Sequence, residues 1–435
     1  MNVQSIIEDR FIAPLLNKKT GNVGVELEFP MLNMNKEPVD EKVATGLLKH
    51  FLKNGFEVLE KTVDGRPAFI GNAPGDAISF DNSYNNIEFA MNYGDDLCVI
   101  ADRFYKYFKD AQKHLSRHNY FITGMGINPY KDYIKQSHVN YSTYNMVDSF
   151  LHKYSGGRFH KYPDFPAYLS SVQTHLDIHP NDMPRAMTLL AKLDFVRALL
   201  FSNSPAFDDT DTICFRDYLW EKSGFGQSAK NTGKVDEEFK TLDDIADSFL
   251  DRIIFNVIRD GEYKIFEPVT LREYFENEKY GAIEEDIKTF LSFRTVEITA
   301  RGTLEVRSDC TQPLYSAFAP PAFSLGIVHN LDRAEEVIKS FLKKTGIKSK
   351  NSTLRDKVIY NKEIKGIGFS ELSMMLLEIV DVAADGLRKR GLMEQKFLAP
   401  LYERADILTC PAKKTAIRLS GGESLESVIY DYGKI

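Results

Sequence analysis

With 435 residues, 43% of them hydrophobic and including 30 Phe and 21 Tyr, the chain has material for a large apolar core. Its 55 basic and 62 acidic residues leave a net charge of −7, which argues against electrostatic capture by nucleic acid or by an anionic membrane. Four cysteines without a CxxC pair, an acidic rather than basic start and no run near the roughly 20 apolar residues of a membrane span predict a cytoplasmic protein with reduced thiols.

In chain order, residues 4–16 read as a helix, and Lys18-Lys19-Thr20-Gly21-Asn22 turns the chain into a strand, Val25-Glu26-Leu27-Glu28-Phe29. A helix is expected at 41–54, then short β runs from Phe56 to Phe69 with a hairpin signal at Asp64-Gly65. One strand is expected from Ile78 to Asn92 and a helix from 95 to 118, while 131–169, rich in Tyr, His and Gly, reads as irregular. Leu169 to His179 reads as a strand, and Asn181-Asp182-Met183-Pro184 opens a helix to about 202. A loop-rich insertion at 207–240 and helical segments to about 293 follow. Arg294 to Arg307 returns to β character, and helices are expected at about 321–344, 369–391, 393–405 and 423–432. Strands scattered among helices predict an α+β fold, an antiparallel sheet with helices on one side. With no repeat or linker, residues 1–435 read as a single catalytic domain, the sheet within about 1–313 and a mostly helical part at about 314–435.

Four strands carry the chemistry, because side chains alternate between faces with period two. Glu26 and Glu28 share one face; Glu88 stands opposite Ile87 and Phe89, with Asp81 upstream able to reach the same side. Gln173, His175 and Asp177 fall together, as do Glu305 and Arg307. An antiparallel sheet commonly has one wet face that needs no function. These positions, however, converge on carboxylates, one imidazole and one arginine, where a merely solvated face would favour Thr, Lys and mixed charge. Hard oxygen ligands suit magnesium or manganese, and carboxylate-held ions beside an arginine match the needs of phosphoryl transfer. Competing motifs are weak. Gly124-Met125-Gly126-Ile127-Asn128-Pro129 lacks the third glycine of a dinucleotide loop, and His114 and His118 have helical spacing without an HExxH frame.

Beyond this reading, the chain resembles glutamate–cysteine ligases, carboxylate–amine ligases of the glutamine synthetase-like superfamily. Gly24-Val25-Glu26-Leu27-Glu28-Phe29 resembles their first acidic strand and Asn86-Ile87-Glu88-Phe89 their second. The run from Ser170 to Ile178 with Phe201-Ser202-Asn203-Ser204-Pro205, the pair Arg216 and Trp220, and Leu304-Glu305-Val306-Arg307-Ser308-Asp309 resemble further family segments in the same order. The resemblance implies a glutamine synthetase-like antiparallel sheet forming a funnel, with helices on its outer face. It also implies an ATP-dependent ligase joining the γ-carboxylate of glutamate to the amine of cysteine through a γ-glutamyl phosphate, a step of glutathione biosynthesis. By the same resemblance Glu26, Glu28, Glu88, His175 and Glu305 hold Mg2+ (Mn2+ as the alternative), with Gln173 beside them. Arg307 serves the transferring phosphoryl group of ATP, and Arg216, Trp220 and Gln173 bind the amino-acid substrates. Glu28 and Gln173 could equally sit behind the ligands. Partners would be small molecules only, with no nucleic acid or membrane, in a monomer or homodimer. Two alternatives stand beside it: a related ligase with a different amine acceptor, and a metal-dependent amide hydrolase that uses no ATP.

Overall fold

The computed structural model describes residues 2–16, 21–134, 138–206, 211–364 and 366–434; the turn expected at Lys18-Lys19-Thr20 lies outside them. Val23–Asn33 is the central strand of a nine-stranded sheet. It pairs antiparallel with Asn86–Gly94 on one side and Ser171–Leu176 on the other, and its far end meets Tyr120–Ile122. Beyond the first neighbour lie Ala77–Phe80, Pro67–Asn72 and Phe56–Lys61; beyond the second lie Leu304–Cys310 and Val296–Ile298. Every pairing is antiparallel, and the sheet ends in two edge strands rather than closing into a barrel.

The two-residue alternation sorts the faces as the sequence predicts. Val25, Leu27 and Phe29 are at most 1% exposed. Phe29 and Phe89 meet Phe104 and Phe108 of the Leu97–Ser116 helix in one aromatic cluster, with centroids 5.1–6.3 Å apart. That helix starts where the Asp96 carboxylate accepts the N–H groups of Cys98 and Val99. The helices Asp194–Phe201 and Ala319–Val328 pack against the strands Leu304–Cys310 and Ser171–Leu176. Among the described residues no helix is long and apolar enough to cross a membrane.

Three segments depart from expectation. The span read as helical before 293 contains a hairpin, Ile253–Arg259 with Glu262–Thr270, turned by Asp260 and Gly261 at φ 53° and 78°. Two consecutive positive φ values suit Asp-Gly and match the twist of the flanking strands. The expected strand from Ile78 to Asn92 is two strands, Ala77–Phe80 and Asn86–Gly94, folded back by a turn in which Asn82 takes φ 57°. The supposedly irregular stretch 131–169 contains the helix Ser142–Lys153. The four cysteines are free thiols, and Cys214 and Cys310, distant in sequence and both buried, meet with their Sγ atoms 3.7 Å apart.

A bulge shapes the strand that carries Glu305. Val306 pairs with Thr174, but the next pairing is Asp309 with Val172, so this strand spends one extra residue at Arg307-Ser308. Asp309 thereby moves to the helix side, where it is fully buried and salt-bridged to Arg197, itself hydrogen-bonded to Ser308 and Ser324. Replacing Arg197 by Met leaves that carboxylate buried without its cation. The expected cost is about 3–5 kcal/mol, read as a lower denaturation midpoint in guanidinium, and a loss below about 1 kcal/mol would contradict the role assigned to the pair.

Candidate active site

The polar face of the sheet opens on a cavity of about 260 Å³. Glu26, Glu28 and Glu88 line one wall with Gln173, and Arg216, Trp220 and Arg307 approach from neighbouring elements. Seven of the nine residues to which the resemblance gives a role thus surround one space. The other two adjoin it. His175 places Nε2 3.2 Å from Glu26 Oε1, and Glu305 accepts from Arg307 Nη2 at 2.6 Å.

Register explains the convergence. Glu28 lies directly across from Glu88, Glu26 across from Gln173, and His175 across from Glu305, so four strands deliver their polar side chains to one patch. Cross-strand partners on one face come close, and like charges there repel. Asp81 enlarges the set. The unexpected hairpin pairs Ser79 with Glu88 and ties the Asp81 N–H to Asn86 O at 3.0 Å, bringing Asp81 to the cavity wall. The sequence places Asp81 within reach of this side; what its reading as one long strand missed is the turn Asp81-Asn82-Ser83. The helix Ser142–Lys153 was also missed as an element; it brings Thr143, Tyr144 and Val147 to the cavity.

Electrostatics divides the carboxylates. Burial would raise the Glu26 pKa, but His175, supported by Arg301 and Arg307, holds it at about 2. Burial, with Glu28 and Glu26 adding repulsion, pushes Asp81 up to about 8. Glu88 is raised well above the usual carboxylate range by burial and by Glu26, Asp81 and Glu28. Glu28 is raised by burial, against the pull of Arg216. It is also held most firmly, accepting from Ser171 N at 2.8 Å, Ser171 Oγ at 3.0 Å and Gln173 Nε2 at 2.8 Å. Gln173 therefore positions Glu28. Thr303 Oγ1 does the same for His175, 3.2 Å from Nδ1.

Arg216 sits in the short helix Phe215–Glu221, inside the span expected to be loop-rich. The helix is anchored from behind: Asp217 binds Arg355 at 2.6 and 3.2 Å, and Arg355 also donates to Asp194 and to Ser308 O. Only 9% exposed, Arg216 has no hydrogen-bond partner for its guanidinium among the described residues.

The raised Asp81 pKa carries a signed consequence. Below the unfolded value, near 4, the group is neutral in both states; as pH climbs to about 8 the unfolded chain ionises it and the folded chain resists. Stability is lost across that window. Asp81→Asn should therefore raise the Tm of chelator-treated protein by a margin that grows from pH 4 to pH 8. Calorimetric scans of both proteins check this, and a pH-independent margin would count against it.

No protein-family model matches the chain. It is 23% identical to the chloroplastic glutamate–cysteine ligase of Medicago truncatula over 274 residues, 61% of this chain and 53% of that protein. It is 23% identical to the protein of the same name from Arabidopsis thaliana over 272 residues, 59% of this chain and 51% of that protein. The chain thus spans about half the length of the curated relatives it matches. Among solved structures, it superimposes on a bifunctional glutathione synthetase from Pasteurella multocida with a TM-score of 0.50 at 11% identity, covering 99% of this chain and 54% of that one. A glutamate–cysteine ligase from Francisella tularensis, in complex with AMP, also gives 0.50, at 12% identity, covering 96% of this chain and 88% of that one. In part of its sequence the chain resembles glutamate–cysteine ligases, and its fold is similar to that of these two ligases.

Proposed function

We propose that the protein is an ATP-dependent carboxylate–amine ligase that joins the γ-carboxylate of glutamate to the amine of cysteine or a similar amine. The observation that carries this reading is the convergence of Glu26, Glu28, Asp81 and Glu88 on one wall of a cavity that also holds Arg216 and Arg307. A set of crowded carboxylates with raised pKa values is a poor arrangement for an ion-free pocket and a suitable one for hard divalent cations. The oxygen donors and single imidazole fit magnesium or manganese, held by Glu26, Glu28, Glu88, His175 and Glu305 with Asp81 added. Such ions, when bound, would screen the phosphate oxygens of ATP and align its terminal phosphate.

The remaining work falls to the chain. In the first half-reaction a γ-carboxylate oxygen of glutamate bonds to the terminal phosphorus of ATP and ADP leaves. In the second, the acceptor's amine bonds to the acyl carbon and phosphate departs with the bonding pair. Arg307 is suited to charge developing on the transferred phosphoryl group. Its Nη2 is fixed by Glu305, its Nη1 donates to Ser292 O at 3.3 Å, and its Nε is buried without a partner. His175, with Thr303 at one nitrogen, keeps the other at Glu26. Apolar side chains, among them Val147, Leu169 and Leu291, line the cavity away from the carboxylates and limit water around a reactive acyl phosphate.

ADP should form only when glutamate, an amine acceptor and a divalent cation are all present, with the amide identified by mass spectrometry. Arg307→Lys should lower kcat by roughly 10²-fold or more. Full activity in that variant would remove Arg307 from the transfer step, and amide cleavage without ATP would replace the ligase reading with a hydrolase.

A further inference from the structure

Asp148 and His152 stand four residues apart on the helix Ser142–Lys153, the spacing that puts side chains on one face. Asp164 meets that face from the start of the turn Phe165–Tyr168. Its backbone O accepts Ala167 N at 3.0 Å, and Pro166 stiffens the turn. One ligand atom from each of the three side chains lies within 4.8 Å of the others. His152 Nδ1 is 3.2 Å from Asp148 Oδ1 and 3.0 Å from Asp148 O, and its Nε2 is 3.5 Å from Asp164 Oδ1.

A carbonyl oxygen only accepts, so Nδ1 carries the proton of the neutral ring and Nε2 turns its lone pair toward the Asp164 carboxylate. Two acceptors face each other there, and a cation between them resolves the conflict. The spacing suits zinc. With ligand bonds of roughly 2.0–2.2 Å, neighbouring donors of a tetrahedral zinc stand about 3.4 Å apart, close to the 3.5 Å between Nε2 and Asp164 Oδ1. A backbone carbonyl on the far ring nitrogen is also a common way of orienting a metal-binding imidazole. Beside the two aspartates lies a space of about 10 Å³, bordered too by His138 and Asn82, with room for one ion or water.

We propose that Asp148, His152 and Asp164 form a metal site outside the main cavity, for zinc or a similar borderline transition ion, which clamps the helix Ser142–Lys153 to the turn Phe165–Tyr168. One imidazole with two carboxylates is a zinc-type donor set with a fourth position open to water, whereas the carboxylate-rich wall of the cavity suits magnesium. The clamp bears on the cavity because both of the segments it ties line that space. Tyr144 and Val147 come from the helix and Pro166 from the turn. An ion at this site therefore restrains one side of the cavity without touching anything bound inside it. The clamp stands apart from the ligase reading, and either can fail alone.

Chelator-treated protein, given excess Mg2+ to fill the carboxylate wall, is titrated with Co2+, whose visible absorption reports tetrahedral binding. The band should saturate at about one Co2+ per chain and be bleached by Zn2+. His152→Gln and Asp164→Asn should each weaken Co2+ binding at least about tenfold, and His175→Gln should leave it within about twofold. Zn2+ should slow amide hydrogen exchange across residues 142–153 several-fold in the wild type but not in His152→Gln. Absence of the band, its full survival in His152→Gln, or its loss in His175→Gln alone overturns the proposal and leaves a protonated imidazole paired with two aspartates. A band that follows His152 without any change in exchange overturns the clamp. Should His152→Gln fail to fold, Asp164→Asn decides by the same two readouts.

Discussion

Like charges on one face of a sheet set the terms for everything around them. Glu26, Glu28, Asp81 and Glu88 lie on one wall, where burial weakens the screening that water would provide. The neighbouring elements answer this cluster one group at a time: Ser171 and Gln173 on Glu28, His175 and Arg301 on Glu26, Tyr144 on Asp81. On the reverse of the same strands, apolar side chains every second residue bury against helices. The same alternation that makes the fold stable therefore brings the charges together, and neither can be altered without the other.

Behind the polar face, buried arginines act as rivets between segments far apart in sequence. Arg355 joins Asp194, Asp217 and Ser308 O, linking a core helix, the helix of Arg216 and the strand of Arg307. Arg252 does similar service for Glu297, pairing with it beneath Ser292. Taking such charges out of water is expensive, and an apolar replacement of the whole pair need not be weaker. Their geometry fits a different role, holding Arg216 and Arg307 at fixed positions beside the cavity.

Much of the site was legible because it follows a local rule. Period-two alternation places Glu26 with Glu28, Gln173 with His175, and Glu305 with Arg307, and the structure brings these pairs to one patch. What escaped depended on turns and on distance. Asp260-Gly261 is a hairpin signal between two β-rich runs, Ile253–Arg259 and Glu262–Thr270, inside a span that reads as helical. The sequence allows Asp81 to reach the polar side, but it hides the turn that takes it there, in which Asn82 accepts a left-handed conformation and reverses the chain. Trp220 is named by the resemblance, but that its Nε1 and Thr295 Oγ1 lie buried without a partner has no sequence signal, since a missing partner is a property of packing. The meeting of Cys214 with Cys310 is likewise non-local, and cysteine spacing carries no trace of it.

The extra residue at Arg307-Ser308 lets one strand serve both faces. Upstream of it Glu305 belongs to the polar wall; downstream, Asp309 belongs to the core, bound to Arg197. A strand without the bulge would turn Asp309 toward the cavity and away from Arg197. Single-residue insertions and deletions here are thus coupled to two ion pairs at once. Over evolutionary time this segment should drift by substitution while its length stays frozen, even where the loops around it lengthen and shrink freely.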